Sequence, residues 1–414
     1  MSAAVIWSDR FMDYKWAYSH PMNPVRLALT MALATDLGVL DGVDTTEPLP
    51  VDDTVLQRVH TPAYIDAVRA VGSGTAQLSG PMLERLFGLG SDDNPVFAGM
   101  HEAGSMLVGG SLAAAQAVHS GAVRRAVNIG GGMHHAMPGH AAGFCIYNDC
   151  AIAISWLLEQ GYDRIAYVDV DAHHGDGVQK MFEHDPRVLT VSVHQHPATL
   201  WPGTGWPTEV GEGEAAGSMV NLALMPGASD RLWLRAFHAV VPSMLAAFKP
   251  QIIVAQVGVD SHVADPLTDL SLTVDGQMAA MRALRDLADK YGEGRLIAVG
   301  GGGYGTINVV PRAWTHLIAT VLDRDVDPAT PVGEKWLETA AELTPLVYPD
   351  YVRPPVAMMG DNGHVDYQPW SGDDGVSPPD GISAAAQQQT DRAILATRRA
   401  VFPLHGLDPE DPRD

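Results

Sequence analysis

Cysteine is scarce in this chain: of 414 residues only Cys145 and Cys150 carry thiols. They do not form a C-x-x-C pair, and nothing else points to a disulfide framework. No unbroken apolar run reaches the ~18 residues that a membrane span needs. The opening Met1-Ser2-Ala3-Ala4 lacks the basic region and apolar core of a signal peptide, so a cytoplasmic protein is expected. Basic residues are also in short supply, with 26 Lys and Arg against 49 Asp and Glu and a formal charge of −23. An acidic surface repels phosphate backbones, which speaks against nucleic-acid binding, and the missing apolar runs speak against a membrane partner. It tolerates or attracts cations such as polyamines or lysine-rich segments, although plain solubility is the favoured account of the charge.

What is present is enough apolar residue, 46%, for a large core. The pattern alternates strand and helix. Strands are expected at 5–7, 125–129, 164–170, 188–194, 218–224, 251–258 and 295–299. Helices are expected at 24–39, 95–119, 148–160, from Asp176, and at 230–248, 275–291 and 311–322. This alternation predicts an α/β fold with a mainly parallel sheet and helices on both faces. Residues 345–380, rich in Pro, Gly and Asp, read as a wrap or loose loop, followed by a terminal helix over 383–401. The division expected is a catalytic domain at 1–325 and an extension at 326–414 packed on it. No internal repeat or low-complexity tract is visible.

Four clusters of reactive residues each follow a strand. They are Gly130-Gly131-Gly132-Met133-His134-His135, then Asp169-Val170-Asp171-Ala172-His173-His174-Gly175-Asp176, then Asp260-Ser261-His262-Val263-Ala264-Asp265, and finally Gly300-Gly301-Gly302-Gly303-Tyr304. Carboxyl ends of parallel strands open onto one crevice, so these residues meet in space. Asp169, Asp171 and His173, at i, i+2 and i+4 of a strand, are expected to share one face. Acidic groups crowded without partners are costly, so the pattern asks for a cation. Asp171, His173 and a further carboxylate from Asp265 leave a position open for water, as in a catalytic zinc site. Fe(II), Co(II) or Mn(II) suits the same donors. Asp169 and Asp176 are available to orient His134 and His135. Tyr304 is placed to donate to an oxyanion.

Together with these clusters, SHPMNPVRL, DDNPVF, GGMHHAMPGHAAGFCIYND, AYVDVDAHHGDGVQKMF, LTVSVHQHPATLWPGTG, GVDSHVADP and VGGGGY resemble the zinc-dependent histone deacetylase family. Within it the chain is most similar to the bacterial acetoin utilisation deacetylases, including the terminal ATRRAVFPLHGLDP. The resemblance implies the three-layer arginase/deacetylase fold and a hydrolase that removes acetyl groups from lysine side chains. It implies zinc on Asp171, His173 and Asp265, with Fe2+ or Co2+ as substitutes. It implies a structural K+ or Na+ on Asp169, Asp171, His173 and Ser192. His134, His135, Asp169, Asp176 and Tyr304 are the implied catalytic residues, with His135 the main proton-transfer group. Asp93, Gly143, Phe144, Trp201 and Leu272 are the implied substrate contacts.

Two residues depart from the family pattern. Met133 stands where Trp is common, and His262 stands where an apolar residue is frequent; a role behind the ligands is expected for His262. Structural roles are expected for His174, His194 and His196, and a buried thiol for Cys145. Acetylpolyamine hydrolysis is the alternative with the same catalytic set. Arginase-like chemistry needs a second metal ligand where Gly175 stands. A non-catalytic acyl-lysine binder is the remaining alternative, opposed by the complete set of ligands and proton-transfer groups.

Overall fold

The computed structural model describes residues 2–372 and 378–414. Residues 373–377, inside the predicted wrap, lie outside the described residues. The strands are β1 (Ala3–Ile6), β2 (Thr45–Thr46), β3 (Arg125–Asn128), β4 (Ile165–Asp169), β5 (Val188–Gln195), β6 (Met219–Leu224), β7 (Ile252–Gln256) and β8 (Leu296–Val299). They form one eight-stranded sheet in the order β2-β1-β3-β8-β7-β4-β5-β6. Each neighbouring pair is parallel.

Both sheet faces are covered, and this is why the strands read as apolar runs rather than as alternating sequences. Ile165 and Tyr167 join one core with Ile252, Val254, Ile297 and Val299. Helices Met100–His119 and Asp149–Glu159 contribute Ala114, Val118, Ile154 and Leu157 to that core. Ala166 and Val168 point the other way. They join Ile253, Ala255 and Ala298 in a core shared with helices Asp230–Phe248, Val274–Tyr291 and Val310–Val321. Helices Pro62–Gly72, Gly80–Phe87 and Glu334–Leu343 add to those expected from the pattern.

The four strands that precede the reactive clusters, β3, β8, β7 and β4, lie side by side in mid-sheet. Their ends are in register: Asn128 pairs with Val299, Val299 with Gln256, Gln256 with Asp169, and Asp169 with Ser192 of β5. The clusters therefore leave the sheet at one level and face one crevice. One expectation needs correcting. β4 ends at Asp169, so Asp171 and His173 sit on the loop beyond it and not on a strand face.

The C-terminal segment is tied to the sheet domain by buried charges. Arg235 pairs with Asp391 at 2.7 Å and donates to the carbonyls of Gln368 and Pro369. Arg398 lies between the rings of Trp370 and Phe402, at 4.5 and 4.1 Å. It donates to the carbonyls of Ala239, Asp408, Pro409, Asp411 and Asp414. Ser383 caps the terminal helix Ala384–Val401 by accepting from the Ala386 N–H at 3.1 Å. Among the described residues no helix is long and apolar enough to cross a membrane.

Buried imidazoles give the fold a pH dependence, His60 and His316 away from the reactive clusters and His174 and His194 in or near them. Burial holds His60 at about 4 and His316 at about 4. Both stay neutral in the native state, whereas the unfolded chain takes up protons near the ordinary value of 6.5. The unfolded state then binds more protons, so stability falls as pH drops from 6.5 toward 4. At about 1.4 kcal/mol per unit of displacement, each residue contributes up to roughly 3 kcal/mol of this loss. Urea unfolding at pH 7 and pH 4.5 is expected to show the decline, with a shallower slope for His316→Gln. Equal slopes for the variant and the parent contradict the assignment.

Candidate metal-dependent active site

The tandem histidines depend on how tightly two glycine turns pack. A side chain at Gly132, where φ is +100°, would put its Cβ 2.4 Å from the Gly300 carbonyl oxygen, so the turns after β3 and β8 touch backbone to backbone. Asp149 holds the first turn. It accepts from the Gly132 and Met133 N–H groups at 3.0 and 2.7 Å and from the Ser111 hydroxyl. Asn148 donates to the carbonyls of His134 and Ala136 at 3.2 and 3.1 Å. Neither residue stands out in the sequence as part of the site. The only local signal is an Asn-Asp pair at a helix start, which reads as a cap.

The expected orienting pairs form. His134 Nδ1 lies 2.7 Å from Asp169 Oδ2, and His135 Nδ1 lies 2.7 Å from Asp176 Oδ1. The Tyr167 hydroxyl also donates to Asp169 at 2.6 Å. The two Nε2 atoms face each other at 3.0 Å, so one ring must donate and the other accept. Burial disfavours charge on both rings, but Asp169 and Asp171 hold His134 up at about 9. Burial, then the neighbouring His134 and His173, keep His135 well below the ordinary imidazole value. These shifts favour one net positive charge on the pair, carried by His134, with His135 neutral. Burial raises Asp176 to about 6.

Asp171, His173 and Asp260 form a buried group whose donor atoms all lie within 4.8 Å of one another. His173 Nδ1 is 2.7 Å from Asp260 Oδ2 and 3.3 Å from Asp171 Oδ1. Gln256 and the Gly302 N–H donate to Asp171 Oδ2 at 2.8 Å, and the Ala172 N–H donates to Asp260 Oδ1 at 2.8 Å. The spacing in sequence predicts Asp265 as the third member, and the structure corrects this to Asp260. The chain turns over Ser261–Ala264 and carries Asp265 beneath Tyr304. There its two oxygens accept from the Tyr304 N–H at 2.8 Å and the Leu267 N–H at 3.0 Å. Asp265 is bonded to the backbone that carries the phenol.

The electrostatics of this group are those of a cation site. Burial, then the Asp171 charge, push Asp260 up to about 6. Against the cost of burial, Asp171 and Asp260 hold His173 up at about 10. A proton on His173 balances the two carboxylates, and a divalent ion replaces such a proton when it binds. An oxygen-rich set with one imidazole and room for water fits a catalytic zinc, iron or cobalt ion.

A cavity of about 200 Å³ leads to the group. It is lined by His135, Gly143, Phe144, His173, Leu200, Trp201, Leu267 and Tyr304, with Asp93 also on its wall. Phe144 holds a φ of +68°, a costly conformation for an aromatic residue. The Tyr14 hydroxyl secures it by donating to the Phe144 carbonyl at 2.7 Å. Trp201 packs edge-on against His135, with ring centroids 4.6 Å apart. Leu272 is not on the wall. It is buried and pairs with the metal-side loop through the Ser261 carbonyl and the Val263 N–H, and Leu267 lines the cavity instead. Tyr304 is buried with its ring edge-on to Phe144. Burial, then Asp260 and Asp171, raise its pKa well above the ordinary phenol value, so it remains a donor.

Met133 lines the space beneath, with Met22 and Cys145. Burial raises the Cys145 thiol, which stays protonated. His174 bonds to Thr204 and Gln179, and His194 to Ser192 and the Gly205 carbonyl.

Residues 20–321 match the model of the histone deacetylase domain. The chain is 40% identical over 345 residues to the acetoin utilization protein AcuC of Bacillus subtilis (strain 168), covering 83% of this chain and 88% of that protein. It is 36% identical over 350 residues to the protein of the same name from Staphylococcus aureus (strain MSSA476), covering 84% and 89%. A crystal structure of an HDAC homolog complexed with SAHA superimposes with a TM-score of 0.80 at 25% identity, covering 95% of this chain and all of that one. An HDAC homolog from Aquifex aeolicus superimposes with the same score at 24% identity. The chain belongs to the histone deacetylase family and is a hydrolase of the deacetylase kind.

Proposed function

We propose that the chain hydrolyses the acetyl amide of acetyl-lysine side chains, using a divalent metal held by Asp171, His173 and Asp260. The observation that carries this reading is the convergence of those three donors, with His173 on the wall of a narrow aromatic cavity that His135 and Tyr304 also line. A zinc ion there, or iron(II) or cobalt(II) in its place, supplies Lewis acidity to the carbonyl and lowers the pKa of water to roughly 7. Phe144 and Trp201 flank the apolar stem of the lysine, with Gly143 and Leu267 on the same wall and Asp93 near the mouth. The Tyr304 hydroxyl donates to the oxygen as negative charge develops on it. His135, held neutral and aimed by Asp176, takes the proton of the attacking water and delivers one to the departing amine. His134 keeps its charge through Asp169 and steadies the developing negative charge.

A K+ or Na+ held by Asp169, Asp171, His173 and Ser192 belongs to the same reading. Its support is the direct register pairing of Asp169 with Ser192. Acetylated polyamines are a second substrate class, favoured by the −23 charge and by Asp93 at the cavity. Comparison of kcat/KM on acetyl-lysine peptides and on acetylspermidine separates the two classes.

Tyr304→Phe is expected to keep its metal and lose roughly 10²-fold or more in kcat; a parental rate on acetyl-lysine removes the oxyanion role. Asp260→Ala is expected to lose bound metal by elemental analysis, whereas Asp265→Asn retains it and loses turnover through Tyr304. The reverse result restores Asp265 as the ligand. Because Asp176 titrates at about 6, kcat/KM is expected to fall as pH drops through that value, when protonation removes the acceptor for His135. A profile that stays flat down to pH 5 contradicts the role of Asp176.

A further inference from the structure

The loop that carries Asp260 also carries Asp265 and Leu267, so its path sets a proposed metal ligand, the anchor of Tyr304 and part of the cavity wall. Two braces hold it. One is local: the Val263 N–H donates to the Leu272 carbonyl at 2.8 Å, and the Leu272 N–H donates to the Ser261 carbonyl at 3.1 Å. The other comes from far along the chain. His262 is buried, and its Nδ1 accepts from the Ala264 N–H at 3.0 Å. Its proton is therefore on Nε2, which donates to Asp361 Oδ2 at 2.9 Å.

Asp361 is itself gripped on every side. Oδ2 accepts from the Val274 N–H at 2.9 Å, and Oδ1 accepts from Arg312 at 2.7 Å. The Asp361 and Gly363 N–H groups both donate to Asp275 Oδ2, at 2.7 and 3.1 Å. This carboxylate lies beyond residue 321, where the match to the histone deacetylase domain ends. It reaches the metal-side loop from the C-terminal extension.

We propose that Asp361 is a positioning residue for the metal centre: through His262 it fixes the loop bearing Asp260, so the extension governs how tightly the metal is held. This rests on Asp171, His173 and Asp260 being the metal set. Metal ligands need their donors placed within fractions of an ångström, and partners standing behind ligands commonly change metal affinity by about 10–100-fold. Here the link runs through one more residue, so the lower end of that range applies. Asp391 is the natural comparison. It is a buried carboxylate of the same extension, yet it pairs with Arg235 on the helix Asp230–Phe248 and does not touch the loop.

The test measures zinc dissociation constants of the full-length protein by competition with a fluorescent chelator, with thermal unfolding alongside. Asp361→Asn is expected to weaken zinc binding about ten-fold. Asp391→Asn is expected to lower the melting temperature and leave zinc affinity at the parental value. If Asp361→Asn lowers only the melting temperature and binds zinc within two-fold of the parent, the positioning role is overturned. Should that variant not fold, His262→Leu cuts the same link from the other end and the same readout decides. Asp260→Ala in the same assay separates the two levels of the argument. If it loses zinc while Asp361→Asn does not, only the positioning role falls. If it too keeps parental affinity, the metal assignment falls and takes the inference with it.

Discussion

The constraint behind this structure is a concentration of negative charge where burial is deepest. Asp169, Asp171, Asp260 and Asp265 are all buried at or just beyond the ends of β4 and β7. Isolated carboxylates in such a place carry a desolvation cost of several kcal/mol each. Each is met by a specific device. Asp169 receives His134 and Tyr167. Asp171 receives Gln256 and the Gly302 N–H, Asp260 the Ala172 N–H, and Asp265 the Tyr304 and Leu267 N–H groups. What these leave uncompensated is the space among Asp171, His173 and Asp260, the position suited to a cation.

The sheet explains why that charge can be gathered there. Parallel strands β3, β8, β7 and β4 are adjacent and end at one level, so four loops far apart in sequence share one crevice. Glycine then decides how close the loops come, since a Cβ at Gly132 has no room against Gly300. The aromatic wall follows from the same crowding. Phe144 is held at a positive φ by Tyr14 and lines the same narrow cavity as Trp201. The electrostatic split between His134 and His135 has two sources: Asp169 and Asp171 hold the first ring up, whereas burial and the neighbouring His134 and His173 hold the second down.

Much of this was legible in the sequence because each reactive cluster follows an apolar run of strand length. His134, His135, Asp169, Asp171, His173, Asp176 and Tyr304 can be placed together from that pattern. The two displaced assignments share one cause. Asp260 and Asp265 both follow β7, and spacing does not reveal where the chain turns. The slip from 260 to 265 is the same as the slip from Leu267 to Leu272. Other partners were invisible for a different reason. Asp149 acts through backbone N–H groups, which leave no mark on residue type, and Asp361 meets His262 from 99 residues away. The helices Pro62–Gly72 and Gly80–Phe87 are amphipathic segments that the strand-helix alternation does not require.

The most direct measurement of the central claim is an anomalous-difference map at the zinc absorption edge, from crystals of the zinc-loaded protein. One peak at about 2.0–2.3 Å from oxygens of Asp171 and Asp260 and from His173 Nδ1 is the predicted result. A peak coordinated by Asp265 instead of Asp260, or no peak at this group in fully loaded protein, would contradict it.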